Sequence, residues 1–166
     1  KDGSGTLVLG GANTYDGGTT INNGTVKLGA SGVLADAGAV TLANVAGVTL
    51  DVNGKTETIG TLSGGGTTGG TVNVNGGTLT VTQGSNAAYD GVVSGSGTFT
   101  KAGGSTLTLS NGSNSFSGTT NVNAGTLSVT NAAALNTGSS VVVNGGTLDI
   151  NGVTLNTLTG LNVQDR

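Results

Sequence analysis

The sequence predicts an all-β protein, folded as a parallel β-solenoid, and three features of the chain point to this fold. Short apolar–polar alternations recur along the chain, glycine- and asparagine-rich pairs separate them, and longer blocks repeat in the same order. Disordered chains combine low hydrophobicity with high net charge. Here the apolar fraction is 34% and the net charge is only −3, so we expect residues 1–166 to form a single folded, repetitive domain.

The predicted strands share the signature Gly-Thr-Leu/Val-x-apolar, which alternates with the period of a half-buried strand. In chain order, copies begin at Gly5, Gly24, Gly77, Gly125 and Gly146, with a looser copy at Gly47. The shorter separations between copies, roughly 19 to 30 residues, are typical of one solenoid coil. Asn-Gly, Gly-Gly, Asp-Gly and Ser-Gly pairs between them are turn signals. We expect about seven coils, forming a rod on the order of 35 Å long.

A solenoid is favoured over a β-sandwich because equivalent residues recur at equivalent places, as direct stacking of coils requires. The interior is then a ladder of Leu, Val and Ile. Ala132-Ala133-Ala134-Leu135 is the best local helix former, and it is too short to stand alone. The turns are expected to carry asparagine ladders, in which stacked amides bond along the axis. The candidates for these ladders are Asn22, Asn53, Asn75, Asn123 and Asn151.

A longer repeat of about 100 residues contains several of these coils. Residues 1–9 align with 101–109, residues 13–17 with 114–118, and residues 20–26 with 121–127. Further on, residues 50–54 return as 148–152. The chain therefore holds one repeat over 1–100 and an incomplete second copy over 101–166. Since Lys1 is the counterpart of Lys101 and the chain begins in mid-pattern, we expect it to be a segment of a longer protein.

These residues resemble a known family. The segments KDGSGTLVLGGANTYDGGTTINNGTVKLG and KAGGSTLTLSNGSNSFSGTTNVNAGTLSVT are similar to the passenger-associated transport repeat, or autotransporter-associated β-strand repeat, of bacterial autotransporters. GVTLDVNGKTETIGTLSGGG and YDGVVSGSGTFTKAGG also resemble passenger sequence. The resemblance implies a right-handed parallel β-helix, export to the bacterial surface or the medium, and a structural part in passenger folding during secretion. Larger members of that family are often adhesins.

Composition argues against several classes of function. The chain has no histidine and no cysteine, so acid–base chemistry would fall to carboxylates, lysine or tyrosine. Asp51 and Asp149 hold equivalent repeat positions several coils apart, which is too far for the paired carboxylates of a glycosidase. Asp16 and Asp90 precede turn glycines, and we interpret them as turn formers rather than calcium ligands. We expect no catalytic, metal or cofactor site, and therefore no enzyme.

The basic residues give no sign of a nucleic-acid partner. Five of them are scattered along the chain, without the clustered patch that such binding requires. Lys1 and Lys101 precede equivalent turns, and we expect them to solvate the rod rather than bind a ligand. No run approaches the roughly 20 apolar residues of a membrane span.

Two groups of side chains suggest surface binding. Tyr15, Tyr89 and Phe116 each precede a turn glycine by two residues, and we interpret them as rings packed against turns, with a sugar-stacking platform as the alternative. The alternating threonines at 78, 80 and 82, and at 106 and 108, suggest the ordered water of ice-binding solenoids. Uneven coil lengths argue against such a lattice, and the β-propensity of threonine explains the same pattern.

The sequence therefore predicts a non-catalytic stalk or scaffold segment of a bacterial surface or secreted protein that supports adhesion. Its expected partners are neighbouring coils of like molecules, and host or cell-surface glycans. The first alternative is a self-assembling extracellular fibre subunit that stacks through exposed strand edges. Ice- or glycan-binding by the outer faces is the second alternative.

Overall fold

Every regular element that the computed structural model describes, over residues 1–135, 138–155 and 158–164, is a β-strand. All strand pairs are parallel, and they form three sheets that run along the molecule. The predicted all-β parallel solenoid is thus confirmed, and the seven-stranded sheet corresponds to the expected seven coils. Residues 132–135 form turns and bends. No described segment forms a helix that is long and apolar enough to cross a bilayer.

The three sheets are named A, B and C here. Sheet A contains β1 (Thr6–Leu9), β3 (Thr25–Leu28), β5 (Thr49–Asp51), β8 (Thr71–Asn73), β11 (Val92–Gly95) and β14 (Ser115–Phe116). Sheet B contains β2 (Thr19–Ile21), β4 (Val40–Leu42), β7 (Leu62–Gly64), β10 (Ala87–Tyr89), β13 (Thr106–Leu109), β16 (Thr126–Val129) and β18 (Thr147–Asp149). Sheet C contains β6 (Thr56–Ile59), β9 (Thr78–Thr82), β12 (Thr98–Ala102), β15 (Thr119–Val122), β17 (Ser140–Asn144) and β19 (Gly160–Gln164). A complete coil, such as β8, β9 and β10, visits A, C and B in that order.

The core is a stack of aliphatic side chains enclosed by the three sheets. Alternate strand residues point inward, and Leu50, Leu79 and Leu107 are fully buried. Inner residues lie directly over their counterparts, as Leu107 does over Leu127. The predicted interior ladder is therefore confirmed. Each fully buried side chain of this size contributes about 1.5–3 kcal/mol relative to an exposed one.

Variation in coil length is confined to the corners. Thr6 pairs with Thr25, whereas Thr25 pairs with Thr49, so the first coil is shorter than the second. Both pairs nevertheless belong to the same sheet in an unbroken parallel register. Because additional residues loop out between strands, they do not shift the inward and outward faces.

The two copies of the long repeat lie on different faces of the solenoid. In the first copy β1 and β3 belong to sheet A, whereas their counterparts β13 and β16 belong to sheet B. Likewise β2 of sheet B corresponds to β15 of sheet C. The repeat is therefore not a whole number of coils, and its second copy is rotated by one sheet, about a third of a turn.

This rotation makes the predicted asparagine ladder wrong for most of its members. Equivalent asparagines follow strands of different sheets: Asn22 and Asn151 follow sheet B, Asn123 follows sheet C, and Asn53 and Asn75 follow sheet A. Of these, only the last two lie in adjacent coils of one sheet. The described amide hydrogen bonds of Asn22, Asn53 and Asn151 go to carboxylate, backbone and hydroxyl groups rather than to another of these amides.

Candidate functional site

The acidic residues singled out by the sequence serve turns and coil contacts. Asp51 accepts a hydrogen bond from the backbone N–H of Asn53 at 3.0 Å and lies 3.8 Å from the Lys27 ammonium. Asp149 makes the same turn bond to Asn151 at 3.0 Å, but in sheet B. Asp90 accepts from the hydroxyl of Ser110. Among the described residues, no three acidic side chains are grouped closely enough to hold a metal ion.

Lys101 does not solvate the rod, and that prediction is wrong. Its side chain is 0% exposed, because β12 directs it inward between Val81 and Val122 of the adjacent coils. The ammonium donates to the carbonyls of Ala102 and Gly103 at 2.9 Å each and of Ala124 at 3.0 Å. Burial lowers the pKa of this ammonium. The three carbonyls satisfy all three N–H donors of the charged group.

Lys1 makes two of the three equivalent bonds in the first copy of the repeat. Its ammonium donates to the carbonyl of Gly3 and, at 2.9 Å, to that of Asn23. Gly3 and Asn23 are the counterparts of Gly103 and Ala124. The conserved pattern between the two copies is therefore a lysine that ties its own turn to the next coil.

A second internal charge, Glu57, was missed by the sequence reasoning. It lies on β6, the strand at the edge of sheet C, and is only 1% exposed. Its carboxylate accepts from the backbone N–H groups of Val33 at 2.9 Å, Leu34 at 3.4 Å and Thr58 at 3.3 Å. The carboxylate thus accepts backbone hydrogen bonds at the edge of sheet C, where a neighbouring strand would otherwise pair. The signal was present, since Glu57 alternates in phase with the buried Ile59.

Burial raises the pKa of the Glu57 carboxyl. The three backbone N–H groups oppose that rise by stabilising the carboxylate, and the nearby Asp36 adds to it. The neighbouring strand β9 contributes Leu79 beside Glu57, which supplies no charge. Loss of water around the carboxylate is therefore the largest effect.

The aromatic residues pack against corners, as predicted, except at the first coil. Tyr89 is fully buried, and its hydroxyl donates to the carbonyl of Gly70 at 2.7 Å. A Cβ atom on Gly91 would lie 2.7 Å from that hydroxyl, and one on Gly118 would lie 2.9 Å from the Phe116 ring. The aromatic-x-Gly motif thus exists because the ring occupies the space of the missing side chain. Tyr15, in the first coil, is 39% exposed.

The alternating threonines form two adjacent stacked columns on sheet C. Thr56, Thr78 and Thr98 stack in one column, and the residues two positions later, 58, 80 and 100, form the next. The expectation that uneven coils would prevent this register is wrong, because the corners absorb the unevenness. The array is small, about 10 Å along the axis. Thr106 and Thr108 lie on sheet B, so the two predicted groups do not share a surface.

Apolar side chains are exposed in the first and last described coils. Leu7 and Val8 of β1 are exposed, as are Leu161 and Val163 of β19. Leu7 borders a shallow, mainly apolar groove of about 300 Å³ beside β1. Leu161 and Val163 border a second such groove of about 370 Å³ beside β19. The described residues that line the two grooves include no acidic side chain.

Comparisons with known proteins agree with this architecture. Residues 1–28 and 99–129 match the passenger-associated-transport-repeat family. These two segments belong to the two copies of the long repeat described above. Over 119 residues the chain is 38% identical to the adhesin BmaC autotransporter of Brucella suis biovar 1 (strain 1330). That alignment covers 70% of this chain and 4% of the adhesin. No solved structure matches the chain significantly.

Proposed function

Because the chain carries two passenger-associated-transport repeats and is an autotransporter passenger segment, we propose that it acts as a rigid, non-catalytic scaffold outside the bacterial cell. In this role it supports adhesion by holding other parts of a longer passenger away from the cell surface. The chain spans only about 4% of the adhesin that it matches. The match therefore does not show the activity or the ligands of a whole passenger, and both are part of this proposal.

The observation that carries the proposal is the way the chain uses its polar side chains. The buried ammonium of Lys101 and the buried carboxylate of Glu57 are both bonded to backbone groups of their own or an adjacent coil. Asn114 likewise accepts from Val93 N–H at 2.8 Å and donates to the Ala134 carbonyl at 2.8 Å, which joins three successive coils. Charged and amide side chains, which often take part in catalysis in enzymes, thus hold coils together in this chain.

A scaffold of this kind needs stiffness, and the solenoid supplies it. Each coil is bonded to the next through up to three parallel sheets and shares one continuous apolar core with it. In such quasi-one-dimensional proteins, each coil is stabilised mainly by its two neighbours. A bend would have to open strand ladders on one side and break core contacts at the same level.

The test separates support from direct binding. Bacteria that display the parent passenger are compared with bacteria whose passenger lacks residues 1–166, and adhesion is measured together with the amount of passenger on the surface. Purified chain is then added as a competitor, after circular dichroism has confirmed β structure. A scaffold predicts weaker adhesion on deletion at equal surface amount, and no competition by the purified chain.

Competition by the purified chain would show that the segment itself binds the adhesion ligand, which contradicts a purely supporting role. Unchanged adhesion after deletion would contradict any role in adhesion. Light scattering after gel filtration addresses self-assembly on the same sample. Monodisperse single chains are expected, whereas concentration-dependent rods would favour the fibre alternative.

A further inference from the structure

Three Asn-Gly pairs form the same kind of tight turn at corners of the solenoid. They are Asn53-Gly54, Asn75-Gly76 and Asn151-Gly152, and both residues of each pair have positive φ, as a type I′ turn requires. Each corner is closed by one backbone hydrogen bond: Lys55 N–H to Val52 O at 3.0 Å, Gly77 N–H to Val74 O at 2.8 Å, and Val153 N–H to Ile150 O at 2.8 Å. The remaining Asn-Gly pairs, at 23–24, 111–112 and 144–145, begin with an asparagine of negative φ.

The three corners differ in what holds the asparagine amide. Asn53 donates from Nδ2 to the carbonyl of Leu28 at 2.9 Å. Asn151 donates to the hydroxyl of Ser128 at 2.6 Å and to the carbonyl of Val129 at 3.3 Å. The amide of Asn75 is exposed, and the described structure gives it no hydrogen-bond partner. One chain thus contains the same turn with anchored and with free amides.

The difference between Asn53 and Asn75 is explained by the coil that precedes each of them. The strand pairs end at Lys27–Asp51 and at Asp51–Asn73, and the same register continued by one residue sets Leu28 beside Val52 and Val52 beside Val74. The carbonyl available to Asn53 therefore belongs to Leu28, which precedes no tight turn, whereas the corresponding carbonyl for Asn75 belongs to Val52. That carbonyl already accepts the N–H of Lys55 in its own turn. The amide of Asn75 is left facing solvent.

We propose that Asn75 is a site of spontaneous deamidation in the folded protein, and that the anchored Asn53 is protected from it. In this reaction the backbone nitrogen of Gly76 attacks Cγ of Asn75, the Cγ–Nδ2 bond breaks, and ammonia leaves with the proton lost by the glycine nitrogen. Water then opens the resulting succinimide at either carbonyl, which gives aspartate or isoaspartate. The overall change is the amide plus water giving the acid plus ammonia, so no cofactor is required.

The space beside the glycine Cα is open in both corners, so we assign the difference in rate to the anchor. A Cβ atom built on Gly54 or on Gly76 would meet nothing within 4 Å. Both asparagines also follow a valine in the sequence. The free amide of Asn75 rotates to present Cγ to Gly76, whereas the amide of Asn53 must first leave the Leu28 carbonyl. A hydrogen bond of ordinary net strength slows such a step by roughly 2- to 12-fold.

The product alters the contact with the next coil. Gly95 of β11 lies against the backbone of Asn75 so closely that a Cβ on Gly95 would be 2.3 Å from the Asn75 nitrogen. Aspartate retains the turn, since it tolerates positive φ almost as asparagine does. Isoaspartate lengthens the backbone by one atom at this packed position, and we expect it to loosen the stacking of β8 and β11.

The folded chain is incubated for weeks in mildly alkaline buffer, and samples are digested and analysed by mass spectrometry with separation of aspartate and isoaspartate peptides. Deamidation is expected to be about 2- to 12-fold faster at Asn75 than at Asn53. The same incubation in strong denaturant is the control, and there the two rates should converge because no anchor remains. Equal rates in the folded chain, or faster reaction at Asn53, would overturn the proposal. So would an Asn75 that reacts in denaturant and stays unmodified in the folded chain.

Discussion

The carbonyl cage around Lys101 provides the sharpest test of what holds successive coils together. Lys101→Met keeps most of the side-chain volume and removes the three ammonium hydrogen bonds. The Ala102 carbonyl retains a partner, because it also accepts the N–H of Gln83 at 3.0 Å. The carbonyls of Gly103 and Ala124 lose the partner that the ammonium supplied.

The expected change in the free energy of unfolding is the difference between two opposing contributions. A buried carbonyl left without a partner costs about 1–3 kcal/mol, so two cost roughly 2–6 kcal/mol. Replacing a buried charged group by an apolar one of similar volume recovers about 1–4 kcal/mol, because the desolvation of the charge is relieved. The midpoints of these ranges, about 4 and about 2.5 kcal/mol, differ by about 1.5 kcal/mol, so we expect Lys101→Met to lower the free energy of unfolding by about that amount.

Urea unfolding followed by circular dichroism measures this change, with Lys27→Met as the matched control. Lys27 is paired with Asp51 at 3.8 Å on the outer face of sheet A, where such a pair is worth about 0–1 kcal/mol. Hydrogen exchange should locate the loss of protection in β12 and β15, since coils are stabilised by their neighbours. A Lys101→Met protein as stable as the wild type, or more stable, would refute the reasoning.

The same lysine predicts a pH effect. Burial lowers its pKa in the folded state, so between that lowered pKa and the ordinary lysine pKa the unfolded chain binds more protons than the folded one. The free energy of unfolding should therefore rise with pH through that window in the wild type, relative to Lys101→Met. A difference between the two proteins that does not change with pH would contradict the assigned burial of a charged ammonium.

The remaining predictions concern Glu57 and Gly91. Burial raises the pKa of Glu57, so the folded state binds the proton more tightly than the unfolded state does. As pH falls through the raised pKa, the free energy of unfolding of the wild type should therefore rise relative to that of Glu57→Gln. Urea unfolding over a range of pH measures this, and parallel profiles of the two proteins would contradict it. Gly91→Ala places a methyl 2.0 Å from the Gly70 carbonyl and 2.7 Å from the Tyr89 hydroxyl, and should cost about 1–3 kcal/mol or more in thermal unfolding. Gly104→Ala, with nothing within 4 Å, is its control and should be neutral or slightly stabilising.

The sequence predicted the strands and their stacking because those depend on local alternation and on repetition. Thr78, Leu79, Thr80 and Val81 alternate with a period of two, and the structure buries Leu79 and Val81. The corner glycines beside Tyr89 and Phe116 were also recognisable, since the aromatic-x-Gly motif occurs more than once. Such features need no knowledge of what lies one coil away.

Burial of the charged residues was not predicted, because lysine and glutamate are almost never fully buried unless paired. Alternation alone places Lys101 in phase with Phe99, and β12 does direct both inward. What makes the inward lysine acceptable is a set of carbonyls, one of which belongs to Ala124 in the next coil. Composition and charge carry no information about backbone groups that only the folded stack brings together.

Rotation of the repeat by one sheet explains both the failed asparagine ladder and the success of the corner motifs. A ladder requires one residue type at the same corner of successive coils, and a repeat that is not a whole number of coils destroys that correspondence. The lysine contacts require only the lysine's own turn and the coil that follows. Lys1 makes them next to β2 of sheet B, and Lys101 makes them from β12 of sheet C. Devices that depend on one neighbouring coil can therefore be repeated at any face. A solenoid built from them is free to lengthen by fractions of a coil while its core and its three sheets continue without interruption.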